Sequence, residues 1–192
     1  MKNGSDLEKI LRFLQEAEKL KTVLRHSWLS TSRQESDSDH SWRAALFAML
    51  LAPYLGKKVN VEKVIKMLLI HDLAEIEVGD FPAWKGRPPN KHNLEKAGLK
   101  KLIKQLPKKS NKEIFKLWLE YEELKSTEAK FAQTCDKLET IDQHNLADIK
   151  TWVKEEYQYN LVHGTEEVRF SKVLQELKKL IDKESRAKIA KK

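Results

Sequence analysis

His71 and Asp72 end the apolar run Ile65-Lys66-Met67-Leu68-Leu69-Ile70, and Leu73-Ala74-Glu75 follows them. A helix that buries Met67, Leu68 and Ile70 carries an imidazole and a carboxylate inward only at a cost of several kcal/mol, unless they are paired, hydrogen-bonded or coordinated. A divalent cation satisfies both groups at once. Glu75 lies three residues after Asp72 and four after His71, on a shared helical face, one turn on from the pair. There it could hold a water as general base. Asp80, just past Gly79, could point back toward the same cavity. Upstream, His40 follows Ser36-Asp37-Ser38-Asp39 and precedes Ala44, Phe47, Ala48 and Leu51 at helical spacing, so it can face the core side. The rival reading is ordinary: a histidine at a helix end is more often a core residue or a partner of the helix dipole. Spacing alone leaves His40 open to either role.

The elements that must position these groups read as helices. Leu, Lys, Glu and Ala dominate, Gly and Pro are few, and no β-branched alternation persists, so the expected class is all-α. A first helix is expected over 6–24, with Leu7, Ile10, Leu11, Leu14, Ala17 and Leu20 as its stripe, then a polar loop over 26–37. Ser38 or Asp39 would cap a helix that ends near Pro53, and Asn60 one over 61–78 that carries His71 and Asp72. Gly79-Asp80-Phe81-Pro82 is a stop signal. Further helices are expected over 94–106, 111–124, 127–144 and 148–157, and from 166 into the tail. The chain fits one domain over 1–182 with a basic tail over 183–192. The single Cys135 excludes an internal disulfide, there is no signal-peptide pattern, and the apolar stretch 44–55 is short and holds Pro53. A soluble, cytoplasmic protein is therefore expected. The net charge of +8 suits anionic partners.

His40, His71-Asp72 and the distant Asp136 together resemble the HD superfamily of metal-dependent phosphohydrolases. The segments SDHSWRAA, LLIHDLAEIEVGDFP, LWLEYEE and STEAKFAQTCDKLE are similar, in order, to the branch that contains the 5′-deoxynucleotidases, over 21–139. The long HDxxExxxGD block with the downstream EAKF-x4-D block is far more specific than an HD dipeptide. The resemblance implies an HD-domain helical bundle with additional C-terminal helices. It implies one metal on His40, His71, Asp72 and Asp136; periodicity alone would leave Asp136 a solvated side chain. Two imidazoles and two carboxylates suit Mn, Co, Fe, Ni or Zn, with Mg also open. Glu75 matches a position needed for catalysis, with ligand Asp72 as the other proton acceptor. Asp80, with Phe81 and Pro82 behind it, matches a substrate-contacting position. In some relatives the Glu75 and Asp80 positions hold a second metal.

The family's first loop carries an arginine and a tryptophan that orient phosphate and sugar, and LKTVLRHSWL offers Arg25 and Trp28. Here the chain departs from the pattern. Trp28 is two residues closer to His40, and Ser27 stands where some members have arginine. The implied reaction is hydrolysis of the 5′-phosphate of (deoxy)nucleoside monophosphates, in an enzyme compatible with a homodimer. Two alternatives remain: an HD hydrolase of another phosphorylated nucleotide, and a non-catalytic metal-containing module that binds nucleic acid. Ile76 after Glu75 counts against the alarmone hydrolases. Lys96, Lys100 and Lys104 form a basic stripe with no interleaved aromatics, so nucleic acid is not the expected partner.

Overall fold

A computed structural model describes residues 5–56, 58–86 and 88–191. In order they form α1 (Asp6–Ala17), β1 (Leu24–Trp28), β2 (Gln34–Ser36), α2 (Asp37–Leu51), α3 (Val61–Ile70), α4 (Glu75–Val78), α5 (Lys91–Ile103), α6 (Lys108–Glu123), α7 (Thr127–Leu146), α8 (Lys154–Val162) and α9 (Lys172–Ala190), joined by short 3-10 turns. The class is all-α, with one small antiparallel hairpin.

The central layer is α2, α3 and α7. Ala44 and Ala48 of α2 are fully buried, and their small side chains let it lie close to α3 and α7. Val64, Met67 and Leu68 of α3 meet Phe131, Ala132, Cys135, Leu138 and Ile141 of α7 in one cluster. A second cluster joins Phe13, Leu99, Leu102, Ile103 and Trp118 from α1, α5 and α6. Gly98 on α5 lies so near α4 that a Cβ there would come 3.0 Å from the Cβ of Glu77. This packing holds the segment after His71 against α5.

Three local expectations differ from the structure, and each difference bears on the site. The first helix stops at Ala17, and residues expected as helix end and loop pair as β1 and β2, with Leu24 opposite Ser36 and Trp28 opposite Gln34. The hairpin lacks a β-branched pattern. It is held by side chains: Arg25 Nε lies 3.3 Å from Glu35, and Gln34 donates to the Arg25 carbonyl at 2.8 Å. The cap of α2 is Ser36, whose hydroxyl accepts from Asp39 N while the Asp39 carboxylate accepts from Ser36 N, a reciprocal capping box. The helix expected over 61–78 breaks after Ile70. Leu73 N bonds to Ile70 O and Glu75 N to Asp72 O, three residues back instead of four, so the chain tightens through His71–Ala74 and restarts as α4.

At the C-terminus, α9 runs on through the basic residues 183–190. Ser185 is buried and bonds Asn145 on α7, and Lys188 donates to the Asn145 carbonyl. Among the described residues no helix is long and apolar enough to cross a membrane.

Candidate active site

The break after Ile70 is what aims His71 and Asp72. The first turn of α2 supplies His40, and the middle of α7 supplies Asp136. His40 is fully buried. Its Nε2 lies 3.1 Å from Asp136 Oδ1 and 3.9 Å from Asp72 Oδ2. The His71 ring is 5.4 Å from the His40 ring, and its Nε2 lies 3.2 Å from Asp72 Oδ2. His40, His71 and Asp72 each offer one ligand atom, all within 4.8 Å of one another. Tyr121 of α6 donates to the other oxygen of Asp136 at 2.7 Å. Burial would push Asp136 up, but the His40 hydrogen bond, both imidazoles and the Tyr121 hydroxyl hold its carboxyl well below the usual range.

These residues fit a divalent metal. The Nδ1 of His71 is tied to the Leu68 carbonyl at 2.8 Å, while its buried Nε2 makes no hydrogen bond among the described residues. The Nδ1 of His40 is tied to Glu139. Both rings thus have one nitrogen anchored, and both Nε2 atoms lie near Asp72, with Asp136 beside His40, as expected of metal-bound histidines. Two imidazoles and two carboxylates make the donor set.

Glu139 had no role in the sequence reading, although it sits one helical turn after Asp136. It is fully buried between His40 and Arg43, whose Nη1 lies 3.0 Å away. Glu139→Gln should weaken binding of Mn or Zn roughly 10- to 100-fold through disorientation of His40. Calorimetric titration checks this, and an unchanged affinity would remove Glu139 from the ligand support.

Beside the four residues of this donor set lies a cavity of about 320 Å³ whose walls include His71, Asp72, Glu75, Asp80, Phe81 and Asp136. Asp37, Glu75 and Asp80 bring oxygens within 4.8 Å of one another. Asp37, also missed from sequence, is wholly buried, and neither of its oxygens accepts a hydrogen bond among the described residues; Arg25 Nη1 is 3.7 Å away. Burial, then repulsion from Asp72, pushes Asp37 up to about 8. Burial, then Asp72, Asp37 and Asp80, pushes Glu75 up to about 11, against the pull of Lys91. Lys91 bridges Glu75 at 3.1 Å and Glu95 at 3.2 Å. Nothing in its spacing marked it in advance.

The sequence-derived substrate residues divide. Arg25 lines the cavity, but its guanidinium is engaged with Glu35, Asp37, Asp72 and Thr140. Phe81 lines the cavity, and Pro82 with Trp84 lines a smaller annex of about 50 Å³. Trp28 lines neither. Side chains alternate along a strand, so Trp28 turns away from the side of Ser27, which does line the annex. Its carbonyl is held by Gln143 of α7. His144 lines the annex too and shares hydrogen bonds with Ser27 and Asn160.

The sequence profile of the HD domain matches residues 17–178. The chain belongs to the HD-domain family. Within it, the chain is 36% identical to the human protein named 5′-deoxynucleotidase HDDC2 over 144 residues, which cover 73% of this chain and 69% of that one. The Dictyostelium discoideum protein of the same name is 40% identical over 141 residues, 69% of this chain and 74% of that one. Among solved structures, a predicted metal-dependent phosphohydrolase from Magnetospirillum magnetotacticum superposes with a TM-score of 0.81 at 31% identity, over 96% of this chain and 97% of that one. The HD-domain match extends well past Glu139, where the sequence resemblance stopped, and takes in α8, which forms part of the cavity wall.

Proposed function

We propose that this HD-domain chain is a metal-dependent phosphohydrolase that cleaves the 5′-phosphate from deoxynucleoside monophosphates. The observation that carries the reading is the meeting of His40, His71 and Asp72 within 4.8 Å, with Asp136 3.1 Å from His40 Nε2, at the edge of a cavity that also holds Glu75 and Asp80. The names borne by relatives at 36–40% identity supply the substrate class.

His40, His71, Asp72 and Asp136 would hold the metal. When bound, a divalent cation supplies positive charge against the phosphoryl oxygens and lowers the pKa of water. The rest of the chemistry falls to the chain. Glu75 accepts the proton of the attacking water at Oε2, the oxygen without a hydrogen-bond donor; Lys91 holds Oε1. The attack forms a phosphorus–oxygen bond and breaks the one to the sugar O5′, which leaves as the nucleoside after protonation. Arg25 holds Asp72 from the hairpin, with its guanidinium on the wall of the cavity. Phe81 and Pro82 cover the substrate beside Asp80. The Asp37, Glu75 and Asp80 oxygens meet within 4.8 Å, and both Asp37 oxygens and Glu75 Oε2 lack a hydrogen bond among the described residues, which favours a second divalent ion there.

The test is phosphate release from a panel of deoxy- and ribonucleoside 5′-monophosphates with Mn, Co, Mg or Zn. Release from deoxynucleotides in preference to nucleoside triphosphates is the expected result. Release from triphosphates or alarmones alone would move the chain to another HD hydrolase activity.

A further inference from the structure

The cavity has a second wall that the metal chemistry does not use. On α7, Gln133, Asp136, Lys137 and Thr140 fall at i, i+3, i+4 and i+7, one helical face, and all four line the cavity. Opposite Lys137 comes the end of α8. Gly164, with φ of 76°, turns the chain there and lies 3.6 Å, measured from an ideal Cβ, from the Cβ of Lys137. That places His163 next to the residue that follows the ligand Asp136. Tyr159, one turn earlier on α8, stacks on His163 with ring centroids 4.6 Å apart and planes 30° apart, and the hydroxyl shares a 2.6 Å hydrogen bond with His163 Nδ1. Both rings line the cavity and are half-buried.

We propose that the Tyr159–His163 stack is the seat of the nucleobase and that these two residues set which nucleotides the enzyme accepts. This rests on the deoxynucleotidase reading above. With the phosphorus at His71, Asp72 and Asp136, the nucleoside must extend along the cavity. The annex is the wrong place for a base: at about 50 Å³ it has room for little more than one or two waters. The floor beside Glu75 is built from Asp72, Asp80, Glu95 and Lys91, side chains that offer a base no ring surface. The α8 wall offers two aromatic faces, with Phe81 of the loop on the same cavity. Burial, then Lys137, pushes His163 down to about 4, so its ring is uncharged at neutral pH. Burial raises the Tyr159 hydroxyl well above its ordinary range, so it stays protonated. A neutral stacked pair suits a neutral planar ring, and His163 Nε2, the nitrogen outside the bond to Tyr159, suits a hydrogen-bonding edge.

The test compares kcat/KM for dAMP and dCMP with that for deoxyribose 5-phosphate, which has the same sugar and phosphate but no base. In His163→Ala the ratio of nucleotide to base-free substrate should fall about tenfold, a stacking contribution of about 1.4 kcal/mol, chiefly through KM for the nucleotides. Tyr159→Leu carries the same expectation and serves if His163→Ala does not fold. An unchanged ratio in folded variants, or equal loss on both substrate types, overturns the base seat while leaving the deoxynucleotidase reading intact. A wild-type protein that releases no phosphate from any deoxynucleotide overturns the underlying reading instead.

Discussion

His71→Ala should leave the protein without stoichiometric metal and lower phosphate release at least 1,000-fold, about 4 kcal/mol of transition-state stabilisation. The expectation follows from how the side chain is held. The Leu68 carbonyl fixes Nδ1, so the nitrogen left for a ligand is Nε2, buried and without a hydrogen bond among the described residues. Alanine removes that donor and leaves His40, Asp72 and Asp136, a set with one imidazole fewer and two carboxylates still close together. The His71 ring also packs between the rings of His40 and Tyr121, so truncation opens space beside both. A fall in melting temperature of the metal-free variant measures that packing loss separately. Metal content by elemental analysis, melting with and without Mn, and steady-state phosphate release form one experiment. Asp72→Ala should behave alike in metal content. Activity that survives both substitutions would sink the assignment of the metal site.

Most of the helical frame was legible because it depends on local periodicity and caps. Asn60 and Ser126 cap α3 and α7 as their side chains suggest. The residues whose roles were not legible act across the fold. Glu139 meets His40 over a separation of 99 residues, and Arg25 meets Thr140 over 115. Neither pairing leaves a trace in the spacing of one segment. Asp37 looked like part of a polar stretch that caps a helix; only the fold makes it a buried carboxylate beside Glu75. The hairpin itself was hidden because side-chain pairs, not β-branched alternation, hold it.

The HDxxExxxGD block made a different kind of error possible. Its apolar periodicity continues through His71, which suggests one unbroken helix. In an unbroken helix, Asp72 would point about 100° away from His71. The i→i−3 hydrogen bonds at Leu73 and Glu75 follow the end of α3 at Ile70, and His71, Asp72 and Glu75 line one cavity. The motif supplied the candidate ligands by residue type, while the break after Ile70 is seen only in the fold.

Glu75→Gln separates binding from proton transfer. The substitution keeps the shape of the side chain, and its amide can still meet Lys91 through the carbonyl oxygen, so the fold and the metal on the His40, His71, Asp72 and Asp136 set should remain. What is lost is a group able to take a proton. A positioned general base contributes about 10²–10⁴-fold, and kcat should fall within that range while metal content stays at the wild-type level. Glu75 is tuned by its neighbours in both directions: burial and the Asp72, Asp37 and Asp80 carboxylates push it up, and Lys91 opposes them. A cation beside that trio adds to the pull of Lys91 and favours the ionised form that can accept a proton. Lys91→Met should consequently also lower kcat, by less than Glu75→Gln, since it removes one of the charges that favour ionisation and leaves the acceptor in place. If Glu75→Gln keeps full activity with metal bound, the proton acceptor is a ligand carboxylate, and Asp72 is the one whose distance to both imidazoles gives it the position.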